Sequence, residues 1–157
     1  MAEQNKELTE RQRQILFRLL RVAYPHDRFP DAPYQRTAKQ IEDAAGADEA
    51  ALAALAAGLD ALDEAAGGDF VTLDEDAATT ALRAVEQAPF FCQIRATTVV
   101  ALYDDREVWD LLGYEGPAFE HGGYVNRGFA DLDWLPDPRI TESGETRVEL
   151  VTGEGGR

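Results

Sequence analysis

Apolar residues recur at helical spacing from the start of the chain. Thr9 and Gln12 have the spacing of a capping box, in which the side chain of each residue bonds the backbone N–H of the other. Apolar residues then follow at intervals of three and four, which predicts an amphipathic helix that Pro25 ends. The members of this stripe are Ile15, Leu16, Leu19, Val22 and Ala23, and Phe17 and Leu20 widen it.

The opposite side of this first helix is basic. Its charged residues are Arg11, Arg13, Arg18 and Arg21. A row of this kind could bind an anionic ligand, but we interpret it as a solvated face that pairs with the acidic remainder of the chain.

Prolines interrupt the pattern after the first helix. Residues 25–33 contain three of them and are expected to form a loop. A short helix is then predicted from Thr37, with Gln40 as its capping-box partner, and Gly46 is expected to close it.

Two further helices are separated by a short apolar link. Asp48 caps an alanine-rich helix that carries leucines along one side, and glycines at 67 and 68 end it. The apolar residues within 70–73 are expected to plug the bundle. Thr72 or Asp74 begins the next helix.

The segment Phe90–Tyr103 is apolar on every side, which in a helix is typical of burial all round. Pro89 suits the first turn of this helix. We therefore predict that it is the central helix of the bundle and belongs to the core. Asp104 or Asp105 caps a short successor, which Gly113 ends.

From Tyr114 onward glycine and proline exclude regular helix, yet aromatic residues are too frequent for a disordered linker. We predict an irregular extension that wraps over its own bundle or over a partner, with a loose hairpin at 140–151. The expected fold class is all-α within one domain. A small bundle of about six helices would occupy residues 1–113, and the long glycine- and aromatic-rich extension residues 114–157.

Charge narrows the classes of partner. Thirty acidic residues against fifteen basic ones give a formal net charge of -15 over 157 residues. Nucleic-acid phosphates and anionic headgroups repel such a chain, so we expect neither nucleic-acid binding nor electrostatic attachment to a membrane. No stretch approaches the roughly 18 apolar residues of a membrane span, so we expect no membrane insertion, and the N-terminus shows no signal peptide. The expected location is cytoplasmic, or periplasmic if a twin-arginine signal has been removed.

Residues that catalysis or metal binding would need are scarce. The one cysteine, Cys92, is expected to be a buried structural thiol. No glutamate lies three residues before a histidine, and no glycine-rich turn leads from a strand into a helix. We therefore expect no catalytic residue, no metal and no cofactor in this chain. The enzymatic alternative uses His26 with Asp27, or His121, in a pocket.

Arg95 is the most informative charged residue of the predicted central helix. It stands among apolar residues such as Ile94 and Val99, where an unpaired charge would be costly. A salt bridge to a carboxylate of the bundle, or a position at its edge, would satisfy the guanidinium. The functional alternative is an anchor for a partner or for the chain's own extension.

Short motifs of a recognisable kind run through most of the segment from Leu8 to Pro136. They are Leu8-Thr9-Glu10, Pro25-x-Asp27, Phe90-Phe91-x-x-x-Arg95-x-x-Thr98, Tyr103, Trp109, Leu112-Gly113-Tyr114-Glu115-Gly116-Pro117 and Gly122-Gly123-Tyr124. Together they resemble the small, or gamma, subunit family named for gluconate 2-dehydrogenase subunit 3.

The resemblance implies a non-catalytic helical subunit of a flavin-dependent dehydrogenase. In that family the large subunit holds FAD and is of the glucose–methanol–choline oxidoreductase type, acting on a sugar or another alcohol. The small subunit binds it, supports its folding and often escorts it through twin-arginine export. Some complexes add a cytochrome c subunit as electron acceptor. Without the twin-arginine signal of many relatives, a stabilising role is favoured over an escort role.

We therefore expect a hetero-oligomer in which this chain contacts the FAD-binding subunit. Aromatic residues and arginine are the types that anchor such interfaces. The candidate partner-binding residues are Arg95, Trp109, Tyr114, Phe119, His121, Tyr124, Phe129 and Trp134. Two alternatives stay open: a self-contained helical adaptor whose aromatic extension packs on its own bundle, and the stand-alone enzyme.

Overall fold

A computed structural model gives the fold and describes residues 7–123. The chain divides into two units, Met1–Gly116 and Pro117–Arg157. The described part of the first unit holds six α-helices and one 3-10 turn, and that of the second holds one 3-10 turn. No β-strand occurs within 7–123, so the prediction of an all-α bundle with about six helices is confirmed.

Helix α1 (Glu10–Ala23) begins with the predicted capping box. The backbone N–H of Gln12 donates to Thr9 Oγ1 at 3.2 Å, and the backbone N–H of Thr9 donates to Gln12 Oε1 at 2.9 Å. The predicted apolar stripe faces the core. Its buried members are Ile15, Leu16, Leu19 and Leu20.

Helix α2 (Asp31–Gly46) begins earlier than predicted. Pro30 is its N-cap residue, and Pro33 lies in its first turn, where a missing N–H removes no intrahelical hydrogen bond. The expectation of a loop as far as Pro33 is therefore wrong. Thr37 is not a cap either, because it is buried in the middle of the helix. The helix ends at its glycine, as predicted.

Helices α3 (Glu49–Ala65) and α4 (Glu75–Ala84) follow the predicted caps Asp48 and Asp74. Each carboxylate accepts a hydrogen bond from a backbone N–H of its first turn, at 3.1 and 2.8 Å. Between the two helices, the 3-10 turn Phe70–Thr72 buries its phenylalanine ring completely. The predicted apolar plug is thereby confirmed.

Helices α5 (Pro89–Ala101) and α6 (Arg106–Leu112) complete the first unit. Pro89 occupies the first turn of α5, as predicted. Of the two aspartates considered for the α6 cap, Asp105 takes the role, and its carboxylate accepts the backbone N–H of Glu107 at 3.0 Å. Gly113 follows α6 with φ 73°, the left-handed conformation that glycine adopts without a steric penalty.

Helix α5 is not the central helix. It packs mainly on α2 and α3, whereas α1 packs against α2, α3, α4 and the Phe70–Thr72 turn, and α3 packs against α1, α2, α4, α5 and the same turn. Only one side of α5 and its C-cap is buried, through Ile94, Thr98, Ala101 and Leu102. The prediction that Phe90–Tyr103 is core throughout is wrong, because apolar composition does not say which faces of a helix have neighbours.

Arginines of α1 bind carboxylates on two neighbouring helices. Arg11 donates to Asp63 of α3, with Nη2–Oδ1 2.8 Å and Nε–Oδ2 3.1 Å. Arg13 donates to Glu42 of α2, with Nη2–Oε1 2.8 Å and Nε–Oε2 3.0 Å. For these two residues the predicted pairing with the acidic remainder of the chain is confirmed.

Glu42 also fixes the segment that precedes α1. Its buried carboxylate accepts the backbone N–H of Leu8 at 3.0 Å as well as the hydrogen bonds from Arg13. The Arg13 hydrogen bonds, joined by the one from Leu8, outweigh the effect of burial and hold the pKa of Glu42 below its usual range. One carboxylate therefore joins α2, α1 and the residues before α1.

Candidate interaction surface

Large apolar side chains that stay exposed are concentrated in one stretch of the chain. Among residues 7–123 they lie between Val99 and Phe119, although the earlier helices are equally rich in apolar residues. Val100 is 65% exposed and Leu112 is 59% exposed. Isolated exposed apolar residues are ordinary, but a concentration of them is typical of a contact surface.

Helix α5 carries two apolar stripes on different faces. The buried stripe serves the contacts with α2 and α3. The second stripe has the i, i+3, i+4, i+7 spacing of one helical face, and all of its members are exposed. It consists of Ala96, Val99 and Val100 of α5 and of Tyr103, which lies two residues beyond the end of that helix. We call this stripe, together with Leu112 and Tyr114, the α5–α6 surface.

Trp109 connects the two parts of the α5–α6 surface. Its indole Nε1 donates to the carbonyl oxygen of Tyr103 at 2.6 Å. Its ring meets the ring of Tyr114 edge to face, with centroids 5.0 Å apart and an interplanar angle of 76°. The Arg106 guanidinium lies 4.8 Å from the Trp109 ring centroid. Trp109 is therefore a half-buried support that positions two tyrosines.

Arg36 fixes the start of α6 against α2. Its guanidinium donates to both carboxylate oxygens of Asp105, at 2.6 and 2.8 Å, and to Glu107 at 2.7 Å. The Arg36 hydrogen bonds are the main reason that the pKa of Asp105 lies below its usual range. Because Asp105 also caps α6, one carboxylate both starts that helix and ties it to α2.

His26 belongs to the edge of the same surface. Its Nε2 lies 2.7 Å from the Tyr103 hydroxyl, and its ring centroid lies 4.4 Å from that of the buried Phe29. Asp27 is exposed and makes neither a hydrogen bond nor an ion pair with His26. The enzymatic alternative at this position depends on a pairing of His26 with Asp27, and that pairing is not formed.

Other chemistry-bearing residues are spread out. No three His, Cys, Asp or Glu side chains within the described range 7–123 are grouped so that they could hold a metal ion. Cys92 is a free thiol that donates to the Glu86 carbonyl oxygen at 3.7 Å. It is half-buried, so the expectation of a buried thiol is wrong. A helix long and apolar enough to span a bilayer does not occur in this part of the chain.

The predicted partner-binding residues have different positions. Tyr114 is 42% exposed on the α5–α6 surface, with Trp109 behind it. Phe119 is 91% exposed in the 3-10 turn Phe119–His121 of the second unit, and only the backbone of His121 is described. Outside the described residues lie Tyr124, Phe129 and Trp134, and with them the predicted hairpin at 140–151.

Arg95 does not form the salt bridge that the sequence suggested. It is exposed on α5, and no carboxylate of residues 7–123 lies within ion-pair distance of its guanidinium. The position at the edge of the bundle, which was the other structural expectation, is the one observed. There it lines a cavity together with Arg83.

Sequence reasoning did not single out Val99, Val100 and Leu112 as surface residues. A signal was present for the two valines, because their spacing with Tyr103 defines a second face on a helix that already had a buried face. No such signal marked Leu112, whose exposure depends on how α6 packs.

Known proteins do not identify the chain. No protein-family model, no curated protein and no solved structure matches it. The likeness to the gluconate 2-dehydrogenase subunit 3 family therefore rests on the short motifs alone, and the function has to be argued from the residues and the surface they form.

Proposed function

We propose that this chain is a non-catalytic small subunit that binds and stabilises an FAD-dependent dehydrogenase of the glucose–methanol–choline type. The substrate of that partner would be a sugar or another alcohol. The observation that carries the proposal is the α5–α6 surface, where valine, tyrosine and leucine side chains stay exposed, whereas residues 7–98 leave no large apolar side chain exposed. The motif resemblance supplies the identity of the partner.

The composition of this surface favours a protein as the occupant. Val99, Val100 and Leu112 offer apolar area, and Tyr103 and Tyr114 add rigid aromatic contacts with polar tips. Charged residues of α2 and α6 lie beside them and line a cavity that also includes Val100. An apolar centre with a polar rim is the usual anatomy of a protein–protein interface.

Binding at this surface would stabilise the flavoprotein through mass action. A subunit that binds only the folded partner lowers the population of the unfolded partner in proportion to its concentration over the dissociation constant. The FAD would belong to the partner. A cytochrome c subunit and a cytoplasmic location stay predictions, which the composition and the cell fraction of the purified complex would test.

The test is co-expression with a candidate flavoprotein of the glucose–methanol–choline type. We expect the chain to raise flavoprotein yield, FAD loading and dehydrogenase activity, and to co-purify with the flavoprotein. Val100→Glu and Leu112→Glu should each weaken the complex at least about tenfold, because a charge would be buried at the interface. Ala54→Glu, at an exposed position of α3, is the matched control and should bind like wild type.

Two results would overturn the proposal. One is a flavoprotein whose yield, FAD content and activity do not change when this chain is left out. The other is equal co-purification of the flavoprotein with wild type, Val100→Glu and Leu112→Glu. If the chain also proves to be a stable monomer that resists protease after Gly113, the self-contained adaptor becomes the better account.

A further inference from the structure

A cavity of about 220 Å³ lies where α1, α4 and α5 meet. Its apolar lining comes from Val22 of α1, Leu82 of α4 and Phe91 of α5. Leu82 is buried and the other two are half-buried, so they form the floor. Two exposed arginines, Arg83 and Arg95, line the same cavity and form its edge.

These two guanidinium groups lack carboxylate partners. Within 7–123, neither Arg83 nor Arg95 makes an ion pair or a side-chain hydrogen bond, whereas Arg11, Arg13 and Arg36 all bind carboxylates. Acidic residues outnumber basic ones two to one over the whole chain, 30 against 15. Among residues 7–123, Arg18, Arg28 and Arg106 also lack a carboxylate partner, but they interact with backbone carbonyl oxygens or with the Trp109 ring. Arg83 and Arg95 differ from them in that both line one cavity.

Other polar groups near the cavity do not neutralise the pair. Glu86 and Thr79 complete its edge, and Glu86 forms no ion pair with either arginine. The positive charge of Arg95 also acts on Tyr24, where it opposes the rise in pKa that burial causes. Positive charge thus remains available to a ligand on the Arg83 and Arg95 side of the cavity.

We propose that this cavity binds an apolar side chain flanked by a carboxylate, presented by a segment of a partner protein. The volume is smaller than the roughly 300–1,000 Å³ of typical small-molecule sites, which favours a single inserted side chain. The planar guanidinium groups of Arg83 and Arg95 match a carboxylate beside that side chain. Glu86 disfavours an acidic group on its own side and so orients the segment.

This site goes beyond the proposed function and does not depend on it. Its recognition chemistry requires no flavoprotein, and the probe described next contains no part of one. Loss of peptide binding would leave the α5–α6 surface untouched, and failure of the flavoprotein complex would leave this cavity untouched.

The test measures fluorescence polarisation of a labelled peptide, Gly-Ser-Asp-Phe-Asp-Ser-Gly, titrated with the full chain at low salt. We expect saturable binding that weakens at least about tenfold when the peptide aspartates become asparagine or its phenylalanine becomes alanine. Arg83→Gln and Arg95→Gln should each weaken binding about tenfold.

Lys39→Gln is the matched control. It removes one positive charge at an exposed position of α2 that lies outside the cavity, so binding should stay at the wild-type level. Far-ultraviolet circular dichroism checks that every variant is folded. Because Arg83 and Arg95 are exposed and unpaired, their glutamine variants should fold normally.

Four outcomes would overturn the proposal. The first is no binding up to about 1 mM chain, and the second is equal binding of the asparagine peptide. The third is an equal loss of affinity in Lys39→Gln, which would reveal a general charge effect. The fourth is another occupant of the cavity. It would be a fatty acid if octanoate binds, the peptide does not, and Arg95→Gln abolishes octanoate binding. It would be a second copy of the chain if the chain self-associates and Arg83→Gln and Arg95→Gln abolish that association.

Discussion

At the scale of single residues, Glu42 illustrates how one buried carboxylate can hold several elements. It receives two hydrogen bonds from the Arg13 guanidinium on its two oxygens and another from the backbone N–H of Leu8. A paired buried charge adds little to stability compared with an apolar pair, but removing one member leaves the other uncompensated. The effect of substitution at Glu42 should therefore exceed that of an ordinary surface pair.

Glu42→Gln is expected to lower the free energy of unfolding by about 2 kcal/mol at pH 7, because it removes the charge that Arg13 binds. The measurement is urea unfolding followed by circular dichroism. Asp43→Asn is the matched control. Asp43 is the exposed neighbour that pairs with Lys39 four residues earlier, and surface pairs of this kind contribute little.

The difference in stability between wild type and Glu42→Gln should depend on pH, because the pKa of Glu42 is lowered in the folded state. A carboxylate with a depressed pKa in the folded state contributes stability above its unfolded-state pKa, and that contribution is lost as pH falls through its folded-state pKa. The gap between wild type and Glu42→Gln should therefore be full at pH 7 and shrink below the ordinary glutamate pKa of about 4.3. An unchanged gap at pH 3 would contradict this account.

At the scale of helices, a glycine of α3 faces a phenylalanine ring of α5. A Cβ placed on Gly58 would lie 2.2 Å from Cγ of Phe90 and 2.6 Å from its Cδ1. Cγ is the root of the ring, so the side chain cannot clear the space by moving its far end. The approach of the two helices thus depends on a missing side chain.

Gly58→Ala should destabilise the protein by about 1–3 kcal/mol, although alanine is the better helix former. Gly46→Ala is the matched control, because no atom lies within 4 Å of a Cβ there and the residue is helical. That variant should gain up to about 1 kcal/mol from helix propensity. Thermal unfolding of both variants decides the matter: if Gly58→Ala is as stable as Gly46→Ala, the close contact is not a constraint.

The helices were predictable wherever their boundaries depend on local chemistry. Asp48, Asp74 and Asp105 cap helices because a carboxylate satisfies free N–H groups of its own first turn. The start of α2 was missed because Pro33 suggested a loop, while a first turn tolerates proline equally well. The burial of α5 was missed because it depends on neighbours that the segment itself does not specify.

Some residues of the candidate surface and cavity could likewise be predicted from the sequence, and others could not. Residue type was enough to select Tyr114 and Phe119, since large aromatics on a non-helical segment suggest contact. The exposure of Leu112 required the packing of α6 on the bundle, and the cavity beside Arg95 required the meeting of three helices. Local patterns predicted the cap at Asp48 and the apolar stripe of α1, but also a cap at Thr37 that is not formed. Concave sites arise only from tertiary structure.

At the scale of the whole molecule, charge opposes compactness. Acidic residues exceed basic ones by fifteen, 30 minus 15, so repulsion among carboxylates outweighs the attraction within ion pairs such as Arg11–Asp63. Salt screens both the repulsion and the attraction, but the repulsion involves more residues. Its loss should therefore dominate the change of stability with salt concentration.

The melting temperature should therefore rise by several degrees between about 10 mM and about 1 M NaCl, as screening relieves self-repulsion. Differential scanning calorimetry measures it. A variant that combines Glu64→Gln and Asp104→Asn, two exposed and unpaired positions, should melt higher at low salt and respond less to NaCl. A flat melting temperature in wild type would rule out self-repulsion as a significant term.

The unequal attachment of the helices has a consequence for motion. Because α1 packs against α2, α3, α4 and the Phe70–Thr72 turn, its amides can exchange with solvent only when most of the bundle opens. Helix α5 packs mainly on α2 and α3, so we expect it to open in a smaller, sub-global event. A partner bound at the α5–α6 surface should therefore slow amide exchange in α5 before any change appears in α1.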